Sequence, residues 1–290
     1  MKRKSIRIRR SAASLATGVI FFLLSLLVLF PVVYMLCNSF MSPSEVSRYY
    51  NSAFDKSGNM NAVIHLIPDI FSMESYYQVF LRRPEYLMKF WLSLLLCGCI
   101  IAGQVVVSCM GGFAFAKYRF RGRKILFFIL ILLMLMPVQV TLVPNYIVLD
   151  RLGLLDTYFA LILPMVFAPF GTFLMAQIFK SIPDELLEAA QLDGASTAEV
   201  LIKVAVPAGK GGVISLILLE LVDAWNMVEQ PVVFLKDSSK YPLSVFLASV
   251  NESNFPLSFA CGVLAALPVI LLFLFFNEEL IEGIEFSGIK

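Results

Sequence analysis

The sequence predicts an all-α membrane protein with six transmembrane helices and one large polar island between the fourth and the fifth. Three observations carry that expectation. Hydrophobic residues make up 59% of the chain and charged residues 15%, against roughly half and a quarter in an ordinary globular domain. The apolar residues come in long uncharged runs, and about 20 consecutive apolar residues cross a bilayer core as a helix. Basic residues gather at the N-terminus and at 117–124, and such clusters mark the cytoplasmic ends of flanking helices. The net charge of +2 says less than its placement.

Residues 1–13 carry Lys2, Arg3, Lys4, Arg7, Arg9 and Arg10 and read as a cytoplasmic tail. No charge follows from Ser11 to Ser44, which sets a first helix at about 14–37. That run is too long, and lacks the small-residue cleavage site, for a removed signal peptide. A membrane flank accounts for the basic tail, so no nucleic-acid partner is expected. Residues 38–87 are mixed and polar and read as an external loop. The second helix, about 90–116, offers Gly98, Gly103, Ser108, Gly111 and Gly112 for close helix packing, with Gln104 its one large polar side chain. Five basic residues at 117–124 return the chain to the cytoplasm.

The third helix, about 125–147, is interrupted by Pro137 and Pro144, which free carbonyls that neighbours or water must satisfy. Gln139 there is a candidate to line a path; a kink absorbed by packing is the alternative. The fourth helix, about 157–179, contains Pro164 and Pro169. The fifth, about 210–234, is the least apolar, with Glu220, Asp223 and Glu229. A carboxylate inside a span faces the bundle, a cavity or a partner. Glu220 and Asp223, with Gln139, are therefore candidates for a substrate path or subunit interface. The alternative is solvated acids near the outer surface with Trp225 as an interfacial anchor. Residues 236–252 read as an external loop and 256–277 as the sixth helix, closing a permease domain over 14–279. The 280–290 tail is cytoplasmic by parity. Its acidic character contributes little to topology.

The island, 181–207, reads as a helix, a glycine turn and a second helix. Ser181 and Asp184 have capping-box spacing, as do Ser196 and Glu199. Asp184 and Glu185 suit the positive end of a helix dipole. Ala189 and Ala190 leave a face without bulk, Gly194 permits the left-handed residue that ends a helix, and Pro207 limits the second helix. Glu188-Ala189-Ala190, Asp193-Gly194-Ala195 and Val206-Pro207 together resemble the EAA loop of ABC importer permeases. The stretches 113–124 and 152–164, Trp225-Asn226 and Tyr241-Pro242-Leu243 are similar to the carbohydrate-uptake class, the branch of the maltose-type second permease, and this resemblance adds Trp225 and Asn226 to the candidates for a substrate path or subunit interface. Ala176 stands where many relatives have arginine, and Leu92-Ser93 where they have Asn-Ser.

No engine is legible in the chain. No G-x-x-x-x-G-K-[ST] phosphate loop is present, and Gly209-Lys210-Gly211 lacks its spacing. The lone His65, in a polar loop with no second ligand evident, excludes a Ser/His/Asp arrangement. The five cysteines lie in or beside apolar runs and read as small hydrophobes, so neither metal nor cofactor is expected. The chain is thus not an enzyme, and energy must come from a partner or a gradient. The resemblance implies a type I ABC importer permease fold at the cytoplasmic (inner) membrane, with both termini in the cytoplasm. It implies a second permease subunit, a dimer of ATP-hydrolysing subunits, an external or periplasmic solute-binding protein and a sugar substrate. It gives Glu188, Ala189, Ala190, Asp193, Gly194 and Pro207 the task of coupling to the ATPase by alternating access. The rival reading is an ion-gradient carrier using Glu220 and Asp223.

Overall fold

A computed structural model describes residues 2–54, 65–82, 84–253 and 255–276, which contain helices and turns and no strand. The predicted 280–290 tail lies outside them. The chain divides into two compact units, Met1–Pro84 with Ser249–Ala265, and Glu85–Ala248 with Ala266–Lys290.

In the first unit α1 runs Lys2–Asn38, so residues 2–13 are helical and continuous with the first span. Its apolar span is Thr17–Asn38. The next stretch, read as an external loop, holds α2 (Pro43–Phe54) and α3 (Glu74–Tyr77), the latter continued by a π turn, Gln78–Arg82. Polar pairing explains the order. The Tyr34 hydroxyl donates to the Tyr50 hydroxyl at 2.7 Å, and Tyr50 donates to Asn38 Oδ1 at 2.7 Å. Glu45 Oε1 accepts the Asp69 amide at 2.6 Å.

The second unit is built on α4, Pro84–Lys117, which starts six residues before the predicted helix with proline in its first turn. The predicted third helix is two: α5 (Arg123–Met134) and α6 (Val138–Arg151), bent by 108°. Pro137 lacks an N–H and sits extended at ψ 147°, so the helical ladder stops there, while α6 accommodates Pro144. The fourth span, Phe159–Ser181, comprises α7 (Phe159–Val166) and α8 (Pro169–Ser181). Gln104 Nε2 donates to Ala168 O at their joint, 3.3 Å away. Beyond α8 lie α9 (Asp184–Leu192), α10 (Thr197–Glu199), a π stretch (Val200–Ala205) and α11 (Val206–Ala208). The predicted fifth helix is also two, α12 (Lys210–Trp225) and α13 (Glu229–Phe234). The loop expected at 236–252 holds α14, Leu243–Ser253, and α15 follows at Phe255–Phe275. Among the described residues, four helices are long and apolar enough to cross a membrane. The number is six if the two bent pairs, α5 with α6 and Thr197–Ala208 with α12, each count as one span.

A clasp outside the spans joins the turn before α7 to the turn after α13. Asp156 holds a left-handed backbone, φ 61°, a conformation that aspartate tolerates better than most residues. Its Oδ1 accepts the amides of Lys236 and Asp237 at 3.0 and 3.2 Å, and its Oδ2 accepts Lys240 Nζ at 2.9 Å. Lys240 and these amides hold the Asp156 carboxyl down at about 2. Because the folded value is depressed, the clasp's contribution is complete above the ordinary 3.8 and is lost as pH falls toward 2. Asp156→Asn should therefore melt below the wild type at neutral pH, with the gap closing across that acid window. Thermal melts against pH check this, and a gap constant down to the acid limit would contradict it.

Candidate functional site

The 181–207 island folds as a helical hairpin set on the ends of α4 and α8, but not by both predicted capping boxes. Ser181 remains in α8, where its hydroxyl donates to Ile178 O at 2.7 Å. Pro183 is the N-cap of α9 and caps with no side chain. Asp184 is instead engaged by Lys117, whose Nζ lies 2.6 Å from its Oδ1; this lysine holds the Asp184 carboxyl below its usual range. Gly194 has φ 87° and completes a Schellman turn: its amide donates to Gln191 O and that of Ala195 to Ala190 O, each at 3.0 Å. The second capping box forms as predicted. The Glu199 amide donates to Ser196 Oγ at 3.4 Å, and the Ser196 amide donates to Glu199 Oε2 at 3.0 Å. The run then continues through Pro207 and breaks at Gly209, bending 81° into α12. Pro207 is thus not the stop. The break falls at Gly209, between α11 and α12, and Gly209 and Gly212 let the start of α12 pass close to Ile178.

Leu187, Val200 and Ala205 are buried in one apolar cluster with Cys109, Phe113, Leu174 and Phe179. Burial seats the hairpin against two membrane helices. Its other face is open: Glu188, Ala189, Asp193 and Pro207 are exposed, and Leu192 is 89% exposed. The two predicted small residues part company, since Ala190 packs inward on the cluster and only Ala189 faces out.

Of the second candidate group, Glu220, Asp223, Trp225 and Asn226 lie on or at the end of α12, and Gln139 lies in α6. Gln139 Nε2 donates to Glu229 Oε1 at 2.7 Å, linking the segments that follow the two internal breaks. Glu220 is buried and Asp223 exposed. Trp225 is buried edge-on against Phe90, with ring centres 5.6 Å apart. Asn226 ends α12, donating from Nδ2 to Val222 O at 2.8 Å. Sequence reasoning missed Lys117 as a contact residue, because a lysine ending an apolar run reads only as a topology signal. It also understated His65. His65 Nε2 lies 3.2 Å from Asp69 Oδ1, and with Glu45 the three ligand atoms fall within 4.8 Å of one another. Glu45 already accepts the Asp69 amide, and Asp69 accepts the Tyr49 hydroxyl at 2.8 Å, so the protein itself engages these carboxylates.

Residues 104–280, more than half of the chain, match the family model described as "Binding-protein-dependent transport system inner membrane component". The chain is 28% identical over 283 residues to the arabinooligosaccharides transport system permease protein AraQ of Bacillus subtilis (strain 168), covering 97% of each. It is 25% identical over 287 residues to the sn-glycerol-3-phosphate transport system permease protein UgpE of Brucella abortus (strain 2308), covering 95% of this chain and 97% of that one. Its fold matches a chain in the crystal structure of a bacterial ABC transporter involved in the import of the acidic polysaccharide alginate. That match has a TM-score of 0.76 at 24% identity, covering 91% of this chain and 95% of the other.

Proposed function

The chain belongs to the family of binding-protein-dependent transport system inner membrane components, and from that premise we propose that it is the membrane-spanning subunit of an ATP-driven sugar importer. It does no catalysis itself. It works beside a second permease subunit, a dimer of ATPase subunits and an external solute-binding protein. Its N-terminus and the 181–207 hairpin face the cytoplasm, following the basic residues that flank α1 and α4. Closure of the ATPase dimer pushes on the hairpin, and the spans alternate between inward- and outward-facing forms. Glu188, Ala189, Asp193 and Leu192 form the contact face, and Gly194 sets its angle.

The observation that carries the proposal is the hairpin: a Schellman turn and a capping box fix two short helices rigidly, with one face seated on membrane helices and the other unfilled. The relatives' names support a carbohydrate or glycerol-phosphate class of substrate. A gradient-driven carrier would use Glu220 and Asp223, three residues apart on α12 and so neighbours on its surface, but it leaves the open face of the hairpin without a role. The test is purification of the tagged chain in mild detergent, followed by uptake in vesicles with a protonophore. A second permease and a phosphate-loop ATPase should come with it, and uptake should persist while ATP lasts. Uptake that collapsed at once with the proton gradient would overturn the proposal.

A further inference from the structure

The joint between α8 and α9 is two residues long, and a single cation holds both of its sides. Lys117, the last residue of α4, keeps its side chain 11% exposed although it is charged. Its Nζ donates to Ile182 O, the C-cap carbonyl of α8, at 2.5 Å, and to Asp184 Oδ1, in the first turn of α9, at 2.6 Å. An ammonium has three donors, and two of them here bridge a joint whose own backbone leaves an extended Ile182 and Pro183. The anchor of that cation is itself fastened. Arg123 Nη2 donates to Ala116 O at 3.3 Å and its Nη1 to Tyr118 O at 3.1 Å, while the Tyr118 hydroxyl donates to Thr197 Oγ1 at 3.3 Å.

We infer that Lys117 is a positioning residue for transport: a strut that fixes the hairpin's angle to α4 and α8, so that force on α9 moves the spans instead of flexing the joint. This rests on the coupling role proposed above. The apolar cluster resists pulling the hairpin off, but apolar contacts are non-directional. A pair of charge-assisted hydrogen bonds, a part-buried one to the Ile182 carbonyl and one to the exposed Asp184 carboxylate, sets direction. Removing one partner of a buried charged contact is costly because it strands the other polar group. With Lys117→Met, the Ile182 carbonyl is stranded while exposed Asp184 returns to water.

The test uses the full complex, with spin labels at Arg121 and Gln191, both exposed, in a background where Cys37 and Cys99, the cysteines not buried, are serine. The wild type should give one narrow distance, and Lys117→Met a broadened one, with Lys117→Arg restoring it. The assembled Lys117→Met complex should still hydrolyse ATP, but stimulation by the binding protein should be largely lost. Asp184→Ala, which removes the acceptor on the α9 side of the grip, carries the same expectation should Lys117→Met not accumulate. A narrow distance and undiminished stimulation in these variants would overturn the strut alone. A wild type that assembles with no ATPase would overturn the coupling proposal beneath it.

Discussion

Gly194→Val should abolish most ATP-coupled uptake while leaving insertion of the protein in the membrane intact. The cause is conformational, not steric. A Cβ at Gly194 would meet nothing within 4 Å, yet the residue holds φ 87°. The left-handed region costs an L-residue roughly 1–2 kcal/mol, and β-branching makes it worse. One to two kcal/mol is a factor of about 5–30 in the population of the turn. The two amide bonds of the Schellman motif would be lost with it, so α9 and α10 would no longer meet at a fixed angle. Gly194→Asn is the control, because asparagine tolerates this region. Reconstituted uptake and ATP hydrolysis should separate in the valine variant and stay linked in the asparagine one. Normal uptake with valine would show that the hairpin's angle is not what couples the two.

Gly112→Ala should do the opposite damage, costing the fold instead of the coupling. A Cβ there would lie 2.6 Å from Met175 Cβ and 2.8 Å from both Met175 C and Ala176 N. Two of those atoms are backbone and cannot rotate away, so α4 and α8 would have to separate. Overpacking costs typically 1–3 kcal/mol, and in a bilayer close approach of small residues is itself a main source of helix association. Gly98 lies on the same helix, and a Cβ there meets nothing within 4 Å; Gly98→Ala should melt with the wild type or slightly above it. Melting of detergent-solubilised protein, followed by size exclusion, checks both. Equal melting of Gly112→Ala and the wild type would mean that the helices separate there without loss.

What was legible in the sequence follows the range of the forces involved. The spans are visible because hydrocarbon demands an apolar run whatever packs beside it: the apolar run read at 157–179 lies over the span Phe159–Ser181, and that at 256–277 over α15. Gly194 and the Ser196–Glu199 box are visible because each is local chemistry completed within a few residues. Ser181 does not cap α9 because it stays in α8, its hydroxyl donating to Ile178 O, while Pro183 takes the N-cap position and Lys117, 67 residues away, engages Asp184. The breaks after Met134 and Trp225 were half legible: Pro137 announced the first, but no proline marks Asn226. The inward turn of Ala190 beside the outward Ala189 depends on which side of α9 finds the Leu187 cluster, and composition does not encode that.

The broken third span also has a bearing on lipid. With 12 residues, α5 is about 18 Å long, well short of a hydrocarbon core of roughly 30 Å. A 108° bend then turns α6 back past the perpendicular, so no single straight rod crosses the bilayer on this side. At 34 residues, α4 is about 51 Å long and crosses with turns to spare. The two helices therefore differ in reach by about 33 Å. Mismatch between a span and the hydrocarbon carries a modest cost for each ångström, so a change in lipid chain length would bear on α5 wherever acyl chains meet it, and far less on α4.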